Sequence, residues 1–272
     1  MADQPHPAGS ELLRLLTVRP AGELFVGTGY GPADKRAFGG QFLAQALRAA
    51  AATVGPGARP TSLHIQFLRA GSCAPVDYRV EPTYDGRTAM TRRVCSYQDG
   101  RLTTVATASF ATELAGPEHP RAGEPIPDPA ALPVTAPPGP ALGVPLQDFD
   151  LRYREHGARE QFVREFYWRT AMQLPDEPIL HHCAAAYLSD LYLLDTALRV
   201  HGRTMSDRSH RAGTTDAAIW FHGPIRADGW NLLRSQSPAA GSGRAVVTAT
   251  LLGADGRPAA TLVQEGLLAA RE

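Results

Sequence analysis

One order of elements, strand then long helix then antiparallel meander, is written twice along this chain, and that repeat narrows the fold more than any other feature. In the first copy "GELFVGT" reads as a strand and "GGQFLAQALRAAAATV", Gly39 to Val54, as a helix rich in alanine and leucine. Strand-like runs follow in "TSLHIQFLRAG", "VDYRVEPTY", "TAMTRRVCSYQ" and "RLTTVATASFAT", the later ones joined at Asp85-Gly86 and Asp99-Gly100. Asp-Gly between alternating segments is a strong hairpin signal, because both residues tolerate positive φ. The second copy offers "QFVREFYWRTA" as a strand and "HHCAAAYLSDLYLLDTALRV" as the helix. It continues through "TTDAAIWFHGP", "WNLLRSQSP", "GRAVVTATLLG" and "AATLVQEGLLA", with Asp255-Gly256 at the last turn. Phe67 of "IQF" and Phe221 of "IWF" stand about 155 residues apart, as do the Asp-Gly pairs at 99 and 255, which marks an internal duplication.

Between the copies, Gly116 to Pro145 is dense in proline and glycine and has neither helical nor strand period, so it reads as a linker. The expected organisation is a first domain over 1–115, a linker over 116–145 and a second domain over 146–272. A long helix with four or five antiparallel strands buries its helix only by wrapping the sheet around it. The expected fold is therefore α+β: a double hotdog, two fused domains each made of a long helix wrapped by an antiparallel sheet.

Composition excludes several functions. Lysine plus arginine and aspartate plus glutamate both number 27, so the basic footprint of a nucleic-acid binder is missing. No apolar run approaches the roughly 18 residues that cross a membrane, and the opening residues lack a signal peptide's pattern, so a cytoplasmic location is expected. Cys73, Cys95 and Cys183 are odd in number and lack CxxC spacing, which speaks against a disulfide framework or structural zinc. There is no GxSxG elbow and no HExxH, and "VGTGYGP" puts Pro32 where a dinucleotide fingerprint needs its third glycine. Neither a metal nor an organic cofactor is expected.

Chemistry concentrates in "YLSDLYLLDTAL", Tyr187 to Leu198, a nearly all-apolar helix carrying two aspartates. An ionised carboxylate removed from water costs several kcal/mol unless it is partnered. At helical period Tyr187, Leu188, Leu191, Leu194 and Leu198 form one stripe, with Asp190 at its edge and Asp195 close to Leu188 and Leu191. Periodicity leaves the choice between the two open.

Together, "FVGTG", "AFGGQFLAQAL", "LHIQFLRAG", "DGRTAMTRRV", "YLSDLYLL", "TTDAAIWFHGP" and "TLVQEG" run through nearly the whole chain, and in this order they resemble the acyl-CoA thioesterase II (TesB-like) family of double hotdogs. The resemblance implies a cofactor-independent thioester hydrolase acting on fatty or related acyl-CoA, without a covalent intermediate. It implies a catalytic aspartate at Asp190, a hydroxyl at Thr214 with Thr215 as the adjacent alternative, and a glutamine at Gln264. A carboxylate accepts the proton of an attacking water while hydroxyl and amide groups orient it. Backbone N–H groups of Gly39 and Gly40, at the start of the first helix, are candidate donors to the oxygen that becomes negative.

Asp195 has no role in that pattern and is expected to be structural. Aligning the two helices on Ala46-Leu47 and Ala197-Leu198 matches Asp190 with Gly39, and the meanders match Gln264 with Ala108, so one site per chain is expected. The chain departs from the family at Asp216-Ala217, where the family shows Asp-His, and at "HGP" in place of "HRP". His64 is expected to pack rather than react, and Arg69, Arg92 and Arg93 are open between solvated strand residues and contacts to nucleotide phosphates. The expected partners are an acyl-CoA substrate and further copies of the chain in a homo-oligomer, with no nucleic acid and no membrane. Competing readings are a non-catalytic acyl-thioester binding protein and a thioesterase for acyl carrier protein or polyketide thioesters. A hotdog hydratase would need histidine five residues from the aspartate, where Asp195 stands.

Overall fold

The computed structural model describes residues 10–117, 125–132 and 143–271; residues 118–124 and 133–142 of the expected linker lie outside the described residues. The first half runs α1 (Glu11–Leu16), β1 (Val18–Ala21), β2 (Leu24–Gly27), α2 (Gly39–Ala51), β3 (Arg59–Phe67), β4 (Val76–Asp85), β5 (Ala89–Gln98) and β6 (Arg101–Ala111). The second runs β7 (Phe149–His156), β8 (Val163–Thr170), α3 (Pro178–Ser189), α4 (Asp195–Val200), β9 (His210–Phe221), β10 (Asn231–Gly241), β11 (Arg244–Leu252) and β12 (Pro258–Ala270).

All twelve strands join one antiparallel sheet in the order β1-β2-β4-β5-β6-β3-β9-β12-β11-β10-β8-β7. Read outward from its centre, each half repeats the same connectivity, which is the duplication in three dimensions. The halves meet where β3 pairs with β9, from Ser62 against Trp220 to Gln66 against Asp216. Strand residues alternate across the sheet: Leu63 and Ile65 of β3, and Ala245, Val247, Ala249 and Leu251 of β11, are buried. Leu43, Ala46, Leu47 and Ala50 of α2 and Leu180, Ala184 and Leu188 of α3 are buried as well. Each fully buried leucine contributes about 1.5–3 kcal/mol, so wrapping a sheet around each helix is the dominant stabilisation. This is the double hotdog expected from the repeat.

The expected turn at Asp99-Gly100 forms with φ of 48° and 70°, as a tight hairpin of that composition requires. Three features differ from expectation. β7 and the short α1–β1 unit lie outside the expected elements, although β7 alternates Phe149, Leu151 and Tyr153 with Asp150, Arg152 and Arg154; α1 is only six residues long. The second long helix is broken: α3 ends at Ser189 with Asp190 as its C-cap, Tyr192 takes φ of 57°, and α4 begins at Asp195. A left-handed tyrosine costs about 1 kcal/mol or more and persists only where its surroundings fix it. No helix among the described residues is long and apolar enough to cross a membrane.

Candidate active site

The break in the helix places Asp190 at a chain reversal, where its carboxylate leaves the helical stripe and meets two strands. Thr214 Oγ1 on β9 donates to Asp190 Oδ1 at 2.8 Å. Gln264 Nε2 on β12 donates to the same oxygen and, at 2.6 Å, to Thr214 Oγ1. Gln264 is 2% exposed, and its Oε1 has no partner among the described residues. A buried amide oxygen left unbonded carries a cost of about 1–3 kcal/mol, which a water or a substrate group in the site would remove.

Register decides which threonine takes part. β9 and β12 pair Asp216 with Glu265 but Thr214 with Gly266, so Thr215 is the extra residue of a bulge. Bulges re-aim side chains beside active sites. Thr214 turns to Asp190, while Thr215 donates to Glu265 Oε2 at 2.9 Å and accepts from Arg244 at 3.2 Å. Thr215, the adjacent alternative, thus stands in a separate ion-pair cluster with Glu265 and Arg244.

The other wall of the site is the start of α2. A Cβ on Gly39 would lie 2.5 Å from Asp190 Oδ2, and one on Gly40 would lie 2.0 Å from the Tyr187 carbonyl oxygen. Glycine at 40 lets the N-terminus of α2 abut the backbone of α3, and glycine at 39 leaves room for the Asp190 carboxylate. Gly39 and Asp190 therefore do not occupy equivalent places, as the alignment on Ala-Leu suggested; they face each other across an antiparallel helix pair. Tyr187 closes the far side, with its hydroxyl donating to the Gly143 carbonyl at 3.1 Å and its ring stacked on Phe149.

Asp190 is half-buried as a residue, but its carboxylate has lost most of its water, and burial pushes its pKa up to about 6. The Thr214 and Gln264 hydrogen bonds, the nearby Arg36 guanidinium and the Gly40 backbone N–H all work in the opposite direction, favouring the charged form. The result is a carboxylate that is ionised at neutral pH yet holds a proton better than a solvated one. Arg36 escaped the sequence reading; its guanidinium lies over Gly213, where a Cβ would come within 2.9 Å of Nη2. Its place two residues before the Phe38-Gly39-Gly40 turn was the available signal.

Asp195 has a different fate. It is 1% exposed and pairs with Arg164 at 2.6 Å, while its other oxygen accepts from the Met205 backbone N–H at 2.5 Å. Ala217, in place of the family histidine, is buried opposite Gln264. His64 stands on the outer face, its ring edge-on to Trp220 at 5.0 Å. His181 accepts from the Ala227 N–H and His182 contacts the Pro178 carbonyl, both inside the fold. Arg92 is buried against Thr53; Arg69 donates to the Leu102 carbonyl and Arg93 faces Glu81. All three cysteines are buried, and none is joined to another.

A family model described as the acyl-CoA thioesterase N-terminal domain matches residues 28–111, and one described as the acyl-CoA thioesterase C-terminal domain matches residues 120–268. The chain belongs to the acyl-CoA thioesterase family. Among the relatives of this thioesterase-family chain, acyl-coenzyme A thioesterase 8 of Homo sapiens is 32% identical over 301 residues, covering 98% of this chain and 91% of the human protein. Acyl-CoA thioesterase 2 of Haemophilus influenzae is 28% identical, covering 95% and 97%. The crystal structure of an acyl-CoA thioesterase II, TesB2, from Mycobacterium marinum superposes with a TM-score of 0.78 at 31% identity, over 97% of this chain and 98% of that one. These likenesses run through both halves, and so through every residue placed above.

Proposed function

We infer that this chain hydrolyses acyl-CoA thioesters by direct attack of water, with Asp190 as the general base. The observation that carries the reading is the convergence of Thr214 and Gln264 on one oxygen of a carboxylate whose pKa is raised to about 6. Such a base is ionised at pH 7 and still accepts a proton readily. A water between Asp190 and the thioester gives one proton to the carboxylate as its oxygen bonds to the carbonyl carbon. Its second hydrogen has an acceptor in Gln264 Oε1. The carbonyl electron pair moves onto oxygen, for which the Gly39 amide at the start of α2 is the candidate donor, the Gly40 N–H already being turned to Asp190. Collapse of the tetrahedral species breaks the C–S bond, and Asp190 returns its proton to the departing sulfur. The products are a free acid and coenzyme A, with no covalent intermediate and no cofactor.

The decisive experiment measures free-thiol release from acyl-CoAs of graded length and branching, with wild type and Asp190→Asn side by side. The expected result is turnover by the wild type and a loss of about 10²–10⁴-fold in the variant. Equal turnover in Asp190→Asn would overturn the assignment of the base, and no hydrolysis of any acyl-CoA by wild type would overturn the substrate. The free edges of the sheet at β1 and β7 support the expected association between copies, which light scattering at the mass of one chain would refute.

A further inference from the structure

We propose that the buried Arg164–Asp195 pair is a positioning device, which holds the turn carrying Asp190 in register with Thr214; the proposal rests on the reading of Asp190 as the base. Among the described ion pairs it is the one whose two side chains are both almost wholly buried, at 3% and 0% exposure. Burying two charges brings little net stability, since the loss of hydration offsets most of the attraction. Its contribution is better sought in geometry.

Every donor on Arg164 that meets a partner acts on the same short segment or on its support. Nη1 donates to the Tyr192 carbonyl at 2.9 Å, and Nη2 to Asp195 Oδ2 at 2.6 Å. Nε and Nη2 also hold Glu155 Oε1, which fixes the guanidinium plane against β7. Tyr192 is the left-handed residue of the turn, and Arg164 is the group that grips its carbonyl. From the far side, Asp195 Oδ1 takes the Met205 N–H, at the start of the segment that leads into β9 and Thr214. One ion pair thus ties the chain on both approaches to the site: five residues after Asp190 and nine before Thr214. The turn is seated by packing too, because the Leu194 side chain fills the space over Gly266, opposite Thr214.

The charged and titratable groups facing Asp190 are Arg36 from the loop before α2 and Tyr187 from α3, beside the Thr214 and Gln264 hydrogen bonds and the Gly40 amide. Asp195 and Arg164 are not among them, so any effect of the pair on Asp190 passes through the position of the turn.

The test is Asp195→Asn in the intact chain, an almost isosteric change that removes the charge. A misplacement near 1 Å costs on the order of 10²-fold in rate, so kcat is expected to fall by about that factor while KM holds. Loosening the turn also lets water reach Asp190, so the acid limb of the kcat profile is expected to move to lower pH. A pair that only stabilised the fold would lower Tm and leave the limb where it was. Wild-type kcat and an unmoved limb in folded Asp195→Asn overturn the proposal. Should that variant fail to fold, Arg164→Lys keeps a buried cation but loses the planar fork that reaches Tyr192 and Asp195 together, and the same two readings decide. Asp190→Asn in the same assay separates the layers: turnover surviving there removes the base itself, whereas turnover lost there beside wild-type behaviour in Asp195→Asn removes the positioning role alone.

Discussion

The two halves present the same frame twice and furnish it differently. On β9 and β12, Ala217 pairs with Gln264 and Thr214 with Gly266 across a bulge at Thr215; on β3 and β6, Leu63 pairs with Ala108 and Pro60 with Phe110 across a bulge at Thr61. Proline replaces the hydroxyl, alanine replaces the amide, and a 1% exposed phenylalanine fills the space that Gly266 leaves to Leu194. The helix pair shows the same contrast. At one end the bare backbone of Gly39-Gly40 meets Asp190, while at the other Arg48 is tied to Glu177 at 2.5 Å. Even the bulge survives in the half without the polar groups. In the paired strands, then, the backbone is shared and the side chains are what differ, whereas in the helices the backbone differs too: α3 breaks at Asp190 while α2 runs unbroken to Ala51.

Introducing bulk where the reactive end needs none gives the largest effect. Gly39→Ala drives a methyl to 2.5 Å from Asp190 Oδ2 and should lower kcat by about 10²-fold with little change in Tm, as activity assays beside thermal melts would show. Wild-type kcat in that variant would mean that the helix start does not fix the carboxylate.

A second, smaller effect is linked to pH. With its pKa at about 6, Asp190 loses its charge as pH falls through that value, and kcat/KM should fall with it. For stability the sign is the opposite: the folded pKa lies above the unfolded value near 3.9, so protonation favours the folded state. That contribution is full below about pH 4 and is lost as pH rises through about 6. Asp190→Asn should therefore raise Tm at pH 7.5 and lose that advantage at pH 4. Equal differences at both pH values would show that the carboxylate is not desolvated.

The smallest effect is expected at the opposite end of the helix pair. Glu177→Gln breaks a partly exposed ion pair and should cost less than about 1 kcal/mol in urea unfolding, with kcat unchanged. A fall in kcat there would dissolve the contrast between the ends.

Much of this contrast was legible before any coordinates. The Asp-Gly turns, the Gly39 helix and the equal spacings disclosed the duplication, because turn chemistry and hydrophobic period are local properties. Gln264 against Ala108 could also be read, since strand registers repeat faithfully. The break after Ser189 could not: no glycine or proline marks it, and the left-handed Tyr192 has its carbonyl bonded to Arg164 of a strand distant in sequence. The choice of Thr214 over Thr215 depends on a bulge, which shifts every later residue to the other face and leaves no mark in composition. Arg164 and Glu165 in the otherwise apolar "FVREFYW" were the readable hint that this strand does more than pack.

The pairing of β3 with β9 has a consequence for concentration. In an assembly of separate subunits, a site built from one copy's helix start and another's aspartate would exist only as far as mass action keeps the copies together. Here both contributors belong to one covalent chain and one sheet, so the encounter is intramolecular and its local concentration is fixed. Turnover per chain should stay level on dilution, however weakly the chain associates with copies of itself.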